Sequence, residues 1–331
     1  MKKSDLKALP QLVQDYLNYL IAVKSKSKLT VLEYASDLKL FFCYLVYQSN
    51  PESFDEASIE KIDISNLNLD FIKTATPLSA YSFLKYCVDI RKNDTAARAR
   101  KVVSIKRFYR YLKIQGYIDE NPMQDLESPK LKKSLPKYLS LDQATDLLNA
   151  VDGKYKERDY CILVLFMNCG LRLSELVSLN LSDIKNDNTM VVTGKGNKQR
   201  TVYLNGACLE AINRYMNVRP VEGVKDKDAL FISRQMNRIS PKTVQHIVKV
   251  FLDKSGLGDK GFSVHKLRHT AATLMYQYGH VDVLQLKEIL GHENLSTTEI
   301  YTHVVDEQLR KSVDSNPLNK VRINHSNDNN E

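Results

Sequence analysis

The chain up to residue 120 carries apolar side chains at the spacing of amphipathic helices. They recur every three or four positions from residue 12 to 20 and again from 32 to 45, which places them on one face of a helix. Thr30 precedes the second series and Glu33 follows three residues later, a pattern typical of a helix N-cap. An apolar segment at 78–88 and an amphipathic one at 98–113 complete a predicted helical bundle, whereas 50–76 has no clear pattern.

Beyond residue 140 the pattern indicates a second set of elements. Segments 141–151 and 158–171 have helical character, and the second is nearly all apolar, which predicts a buried core helix. Within 187–204, two β-branched runs flank the basic, Gly-rich sequence GKGNKQR and predict a short hairpin. The predicted fold class is mainly α with this small β-hairpin. Further helices are predicted at 207–218, 241–252, 264–278, 283–290 and 306–315.

A segment punctuated by prolines separates the two sets of elements. Pro122, Pro129 and Pro136 stand seven residues apart in a polar stretch without apolar periodicity, which is typical of a linker. We therefore predict an N-terminal helical domain over 1–126, a linker over 127–140, a mixed domain over 141–318 and a polar tail over 319–331.

Length and composition narrow the class of protein. With 331 residues and 43% hydrophobic residues, the chain has ample material for folded cores. The longest uninterrupted apolar run, 161–167, is far below the roughly 20 residues that cross a bilayer, and no apolar signal stretch follows the first lysines. The five cysteines include no C-x-x-C pair, so neither a disulfide framework nor a zinc cluster is expected. These features predict a cytoplasmic protein.

The positive charge is concentrated in one segment. The whole chain has a formal net charge of +9, and residues 91–113 hold nine Lys or Arg and one acid, a net of +8. On a helix this segment has an apolar stripe and a basic stripe that contains no acid. A solvated helix face is the simpler interpretation, but an unmixed basic stripe favours phosphate binding. The residues predicted to bind nucleic acid or another polyanion on this stripe are Arg100, Lys106, Arg107, Arg110 and Lys113.

Four short segments of the second half carry candidate chemistry. They are CGLRLSEL at 169–176, GKGNKQR at 194–200, HKLRH at 265–269 and LGHENLSTTEIYTH at 290–303. P-loop, H-E-x-x-H and EF-hand patterns do not occur in the sequence. Arg, Lys, His and Tyr suit attack on a phosphodiester without a metal ion, because two guanidinium groups can compensate the charge of the transition state and a phenol can act as nucleophile.

In their order and content, these four segments resemble the catalytic motifs of the tyrosine recombinases (the lambda integrase family), most closely those of the bacterial Xer group. The first half is similar to that group's N-terminal, SAM-like DNA-clamping helices, except over 50–94, which is longer than in a typical Xer protein. The resemblance implies a core-binding domain and a catalytic domain that close on duplex DNA.

The resemblance also implies roles for individual residues. Arg172 and Arg268 would clamp the scissile phosphate, with Glu175 orienting Arg172 as its neighbour on a helix. Lys195 would protonate the departing 5′ oxygen, and Tyr301 would be the nucleophile. The implied catalytic residues are therefore Arg172, Lys195, His265, Arg268, His292 and Tyr301; Glu175 is a supporting residue, Lys198 and Arg200 would bind the DNA backbone, and His269 and His303 are expected to pack. No metal or cofactor is implied.

The implied partner is double-stranded DNA with inverted-repeat core sites. A homotetramer would exchange strands through a Holliday junction, with a second related recombinase or a regulatory partner as alternatives. Chromosome-dimer resolution, mobile-element integration or excision and DNA inversion remain open, and the long 50–94 segment slightly favours a mobile element or a dedicated switch. Rival functions are a type IB topoisomerase-like enzyme, a catalytically silent DNA-binding accessory protein and a helical transcription regulator.

Overall fold

The computed structural model describes residues 6–130, 137–279 and 281–291, and at Ala57 and Lys195 it describes the backbone only. The chain divides into two compact units, Met1–Lys133 and Ser134–Glu331. This division falls within the stretch 127–140 that the sequence predicts to be a linker. Among the described residues, none of the helices is long and apolar enough to cross a membrane.

The first unit is a helical bundle around an aromatic core. Tyr16 and Phe42 both contact Phe108, with ring centroids 5.5 and 5.6 Å apart, and Phe41 contacts Phe83 at 5.3 Å. These five rings are almost fully buried, so aromatic packing joins the helices that carry them. The helices of the first unit are α1 (Gln11–Ala22), α2 (Lys28–Ser49), α3 (Leu69–Lys73), α4 (Pro77–Asp89) and α5 (Thr95–Ile114).

The predicted helices of the first unit are confirmed, but the predicted start of α2 is wrong. Ser27, not Thr30, is the N-cap, and its Oγ accepts a hydrogen bond from the Thr30 amide at 3.2 Å. Both residue types cap helices, and the earlier one adds almost a full turn. In the unassigned stretch 50–76 the chain forms α3 and the 3₁₀ turns Pro51–Ser53 and Glu56–Lys61.

The second unit surrounds the buried helix α7 (Lys156–Cys169), as predicted from its apolar sequence. Residues 161–167 of this helix are all buried. The predicted hairpin is also confirmed: β1 (Thr189–Thr193) and β2 (Gln199–Tyr203) pair antiparallel. The remaining helices are α6 (Leu141–Asn149), α8 (Leu173–Ser178), α9 (Gly206–Val218), α10 (Pro241–Lys254), α11 (Val264–Tyr278) and α12 (Val283–Leu290). The helix predicted at 306–315 lies outside the described residues.

Candidate active site

The segment CGLRLSEL forms a tight connection between α7 and α8. Gly170 ends α7 with φ of +58°, and a Cβ atom there would lie 2.6 Å from Leu290 Cδ2. Glycine is therefore required both by the backbone and by the close approach. Arg172 is the N-cap of α8 rather than a residue inside the helix, so its predicted proximity to Glu175 arises from capping. The Glu175 carboxylate accepts a hydrogen bond from the Arg172 amide at 2.8 Å.

Glu175 is a buried carboxylate shared by arginines. Arg172 Nη1 donates to its Oε1 at 2.7 Å, and Arg200 donates to both oxygens at 2.7 and 3.1 Å. Arg268 Nη1 lies 3.8 Å from Oε2. The Glu175 side chain is 0% exposed, Arg268 is 4%, Arg200 is 14% and Arg172 is 37% exposed. Three guanidinium groups thus surround one carboxylate, and Arg172 extends furthest toward solvent.

The same three arginines bind the C-terminal end of α12. Arg200 Nε donates to the Ile289 carbonyl at 3.2 Å, Arg268 Nη2 to Leu290 at 2.7 Å and Arg172 Nη2 to Gly291 at 3.0 Å. The last carbonyls of a helix have no partner within it and carry the negative end of its dipole. Guanidinium groups satisfy both needs, so these contacts fix the end of α12 against the arginine cluster.

The electrostatics of the cluster leave a positive site. Burial by itself raises the pKa of Glu175, but the hydrogen bonds from Arg200 and Arg172 and the charge of Arg200 outweigh this effect, so the pKa lies below its ordinary value. The carboxylate is therefore ionised at neutral pH. One negative charge against three guanidinium groups leaves a net of +2, which suits an anionic ligand.

Helix α11 brings Arg268 together with two histidines. His265 and His269 lie one turn apart, with ring centroids 4.6 Å apart in an edge-to-face arrangement. Burial and then the positive charge of Arg268 lower the pKa of His265, and burial and the neighbouring His265 lower the pKa of His269 to about 4. At neutral pH both rings are therefore neutral, and a neutral imidazole can accept a proton. The family resemblance implies that His265 accepts the proton of the nucleophile or bonds the phosphate, and a neutral ring is suited to the first of these roles.

The hairpin approaches the arginine cluster at Gly194. A Cβ atom on Gly194 would lie 3.5 Å from Glu175 Oε1 and 3.9 Å from Arg172 Nη1. The Gly194 amide donates to the Lys198 carbonyl at 2.7 Å and closes the turn that contains Lys195. Lys195 follows Gly194 directly in this turn, and Lys198 is exposed.

A cavity of about 680 Å³ borders the cluster. Its lining includes Arg172, His265 and Arg268, together with Lys249 and Phe262. Three of the implied catalytic residues therefore face one space. Within residues 6–130, 137–279 and 281–291, no three His, Cys, Asp or Glu side chains are grouped so that they could hold a metal ion.

The sequence-based assignments have three outcomes here. Arg172, Glu175, His265 and Arg268 are brought together, whereas His292, Tyr301 and His303 lie outside the described residues. Arg200, expected on the DNA backbone, instead directs its guanidinium group into the cluster. The sequence interpretation missed this second, forked partner of Glu175.

The lowered histidine pKa values predict how stability depends on pH. Because His269 has a folded-state pKa of about 4 against an ordinary value of 6.5, the unfolded chain binds a proton more readily between these values. The stabilisation is complete above pH 6.5 and is lost as the pH falls toward 4. We expect urea midpoints to decrease over that range, and less steeply in His269→Gln. His246→Gln, a substitution at an exposed position of α10, serves as the control; an equal slope in all three proteins would contradict the assignment.

The basic face of α5 differs from its sequence-based description, because an acid from α2 contacts it. Asp37 is buried at 1% exposure, and its carboxylate accepts hydrogen bonds from Arg100, from Lys101 Nζ at 2.9 Å and from Ser104 Oγ at 2.9 Å. The stripe itself contains no acid, as its sequence shows, but Arg100 is paired with a carboxylate from another helix. A carboxylate 63 residues away in sequence cannot be seen in the charge pattern of one helix.

The remaining predicted DNA-binding residues of α5 are placed differently from Arg100. Lys106 Nζ donates to the Leu126 carbonyl at 3.0 Å, and Arg107 donates to the hydroxyl of Tyr34 at 2.7 Å. Tyr34 is uncharged, so the bond to it leaves the positive charge of Arg107 uncompensated. Arg107, Arg110 and Lys113 are exposed, and these three form the basic surface of α5.

Two family models match the chain. The model described as phage integrase family matches residues 137–308, and the model described as phage integrase, N-terminal SAM-like domain matches residues 13–116. The chain belongs to the phage integrase family. The family's catalytic model thus spans every residue of the arginine cluster, and the SAM-like model spans α5 and its basic surface.

Relatives within the family are similar over most of their length. A protein named tyrosine recombinase XerC, from Caldanaerobacter subterraneus subsp. tengcongensis, is 52% identical over 312 residues, which cover 94% of this chain and 88% of the relative. A protein named tyrosine recombinase, from Pseudothermotoga lettingae, is 33% identical over 91% of this chain and 96% of its own length. The resemblance to tyrosine recombinases is thereby confirmed, and the chain is a tyrosine recombinase by family.

A solved structure shares the fold. The crystal structure of the site-specific recombinase XerH bound to its difH substrate, a pre-cleavage complex, matches with a TM-score of 0.65 and 23% identity. The match covers 91% of this chain and 83% of that chain. At this level of identity the likeness supports the predicted fold class, a mainly helical chain with a small hairpin.

Proposed function

We propose that this recombinase cleaves and rejoins specific DNA sites through a 3′-phosphotyrosyl intermediate formed by Tyr301. The observation that carries the proposal is the positive cluster of Arg172 and Arg268 around Glu175, which faces the same cavity as His265. A phosphodiester is the anion that these forked donors fit. In this proposal the two arginines compensate the transition-state charge without a metal ion, and the exchange of phosphodiester for phosphotyrosyl bond needs no ATP.

The proposed reaction forms one phosphoester bond for each one that it breaks. The Tyr301 phenol oxygen attacks the phosphorus and passes its proton to His265, while the bond to the 5′ oxygen breaks and Lys195 protonates that oxygen. His292 donates to a non-bridging oxygen. In the reverse step a 5′ hydroxyl attacks the phosphotyrosyl bond, which releases the tyrosine and restores a phosphodiester.

We propose that four protomers act on two inverted-repeat sites in the cytoplasm and exchange strands through a Holliday junction. Among the three open biological roles, the identity of 52% over 94% of the chain to a relative named XerC favours chromosome-dimer resolution. The long segment 50–94 slightly favours a mobile element or a dedicated switch. That preference is weakened because the relative matches nearly the whole chain.

The proposal is tested by trapping the covalent intermediate. Duplexes selected for binding to the full chain are nicked next to the candidate cleavage position, so that a short 5′-hydroxyl fragment diffuses away after cleavage. We expect an adduct on a denaturing gel with the selected sites and none with scrambled duplexes of equal length. The proposal is wrong if no adduct forms on any selected site. Relaxation of plasmids that lack such a site would instead support a type IB topoisomerase.

The basic surface of α5 carries a separate prediction about DNA affinity. If Arg107 and Arg110 each neutralise a phosphate, Arg107→Ala and Arg110→Ala weaken binding. Each substitution also makes the negative slope of log K against log salt shallower by about one. The slope is measured by fluorescence anisotropy between low and moderate salt. Lys85→Ala, which alters an exposed lysine of α4, is the control and should leave the slope unchanged. An unchanged slope in the two arginine variants would show that this surface does not contact phosphates.

A further inference from the structure

Arg200 bridges the parts of the site that carry the implied catalytic residues. Its Nη atoms hold both oxygens of Glu175, and its Nε holds the Ile289 carbonyl at the end of α12. It stands on β2, opposite Val192 in the register of the hairpin that contains Lys195. One side chain therefore connects the hairpin, the carboxylate that binds Arg172, and the helix end that precedes His292 in the chain.

The surroundings of Arg200 are built to receive its side chain. Gly291 has φ of +64°, and a Cβ atom there would lie 2.8 Å from Arg200 Cδ, so the glycine makes room for the arginine stem. The side chain is 14% exposed, and its forked contact with Glu175 uses the geometry in which a guanidinium group binds a carboxylate most strongly. This arrangement differs from that of a flexible cation presented to DNA.

We propose that Arg200 is a positioning residue for DNA cleavage: it holds Glu175, and through it Arg172, in register with the end of α12 and with the hairpin. The proposal rests on the function proposed above. Arg200 touches neither the phosphate nor the nucleophile in this account. Its effect reaches the reaction through Glu175, and it contributes no contact to the DNA backbone.

Arg200→Met tests the proposal because methionine keeps an unbranched stem beside Gly291 and removes the fork. Single-turnover cleavage is measured on the nicked duplexes at saturating protein, and the dissociation constant is measured against salt. We expect the cleavage rate to fall about 100-fold, because small misplacements of catalytic groups cost this much, with affinity and salt slope unchanged. Thr201→Ala, at the adjacent exposed position of β2, is the control and should match wild type. Arg200→Lys should recover little, since one ammonium group cannot bind both oxygens of Glu175 and the Ile289 carbonyl.

A double-variant cycle examines whether the effect passes through Glu175. If it does, Glu175→Gln/Arg200→Met cleaves no more than a few-fold more slowly than the slower single variant, whereas independent residues give a product of the two losses. A multiplicative result overturns the proposal. A wild-type rate in Arg200→Met overturns it as well, and a salt slope reduced by about one would assign Arg200 to the DNA backbone.

Hydrogen exchange tests whether Arg200 holds the end of α12, and this measurement does not depend on DNA cleavage. The peptide that covers 286–291 should exchange faster in Arg200→Met than in wild type, because the bond to Ile289 is lost, and Thr201→Ala should not change it. Unchanged exchange in Arg200→Met and Arg200→Lys overturns the proposal even if wild type forms no adduct. Faster exchange with no wild-type adduct would instead contradict the proposed function alone.

Discussion

Replacing Tyr301 with phenylalanine is expected to abolish the covalent adduct while DNA binding is retained. Phenylalanine keeps the ring and lacks the oxygen that would attack phosphorus, so no side-chain bond to DNA can form at this position. A phenol has an ordinary pKa of about 10, and in the proposed reaction the positive charge of Arg172 and Arg268 stabilises its anion as it attacks. The expected loss is therefore complete rather than partial.

The measurement compares adduct formation and affinity in the same preparation. The sequence holds 18 tyrosines, so a control must show that loss of a hydroxyl elsewhere has no effect. Tyr203→Phe is suitable because Tyr203 is 80% exposed on β2 and has no role in the proposed reaction. An adduct that persists in Tyr301→Phe would mean that another residue is the nucleophile, and mass spectrometry of the adduct peptide would identify it. Loss of DNA binding in Tyr301→Phe would show that the hydroxyl is needed before chemistry.

The elements of this fold were predictable where the periodicity of one segment decides them. Residues 161–167 of α7 are all apolar and buried, and the β-branched runs beside GKGNKQR form the hairpin. The start of α2 was misplaced because Ser27 and Thr30 can both cap a helix, and only the packed structure selects between them.

At the site, the features that the sequence did not predict are contacts between distant segments. The pairing of Asp37 with Arg100 and Lys101 joins α2 to α5, and local charge counting cannot detect it. A signal was nevertheless present, because Asp37 falls within the apolar series of α2 and a buried carboxylate requires partners. Arg200 carried a similar signal, since it shares a strand face with the buried Val202. The identities of the catalytic residues came from the order of motifs, whereas the way Glu175 is shared came only from the structure.

The Glu175→Gln substitution is expected to destabilise the second unit strongly. The carboxylate is fully buried and faces Arg172, Arg200 and Arg268. A glutamine of the same shape removes the only negative charge among them in the described cluster and directs an amide donor toward other donors. Removing one partner of a buried ion pair costs about 3–5 kcal/mol in the free energy of unfolding.

Cleavage by Glu175→Gln should fall as well, because Arg172 loses the acceptor that orients it. We expect a loss of at least about 100-fold at a temperature where the variant remains folded. The control is Glu157→Gln, which removes the nearer of the two carboxylates that pair with the half-exposed Arg214; pairs near the surface contribute about 0–1 kcal/mol. Urea denaturation gives the stability, and single-turnover cleavage at saturating protein gives the rate. Equal stability losses in the two variants would show that the cluster does not depend on the Glu175 charge. Normal cleavage by a folded Glu175→Gln would show that the α12 carbonyls suffice to position Arg172 and Arg268, because both arginines also bind that helix end.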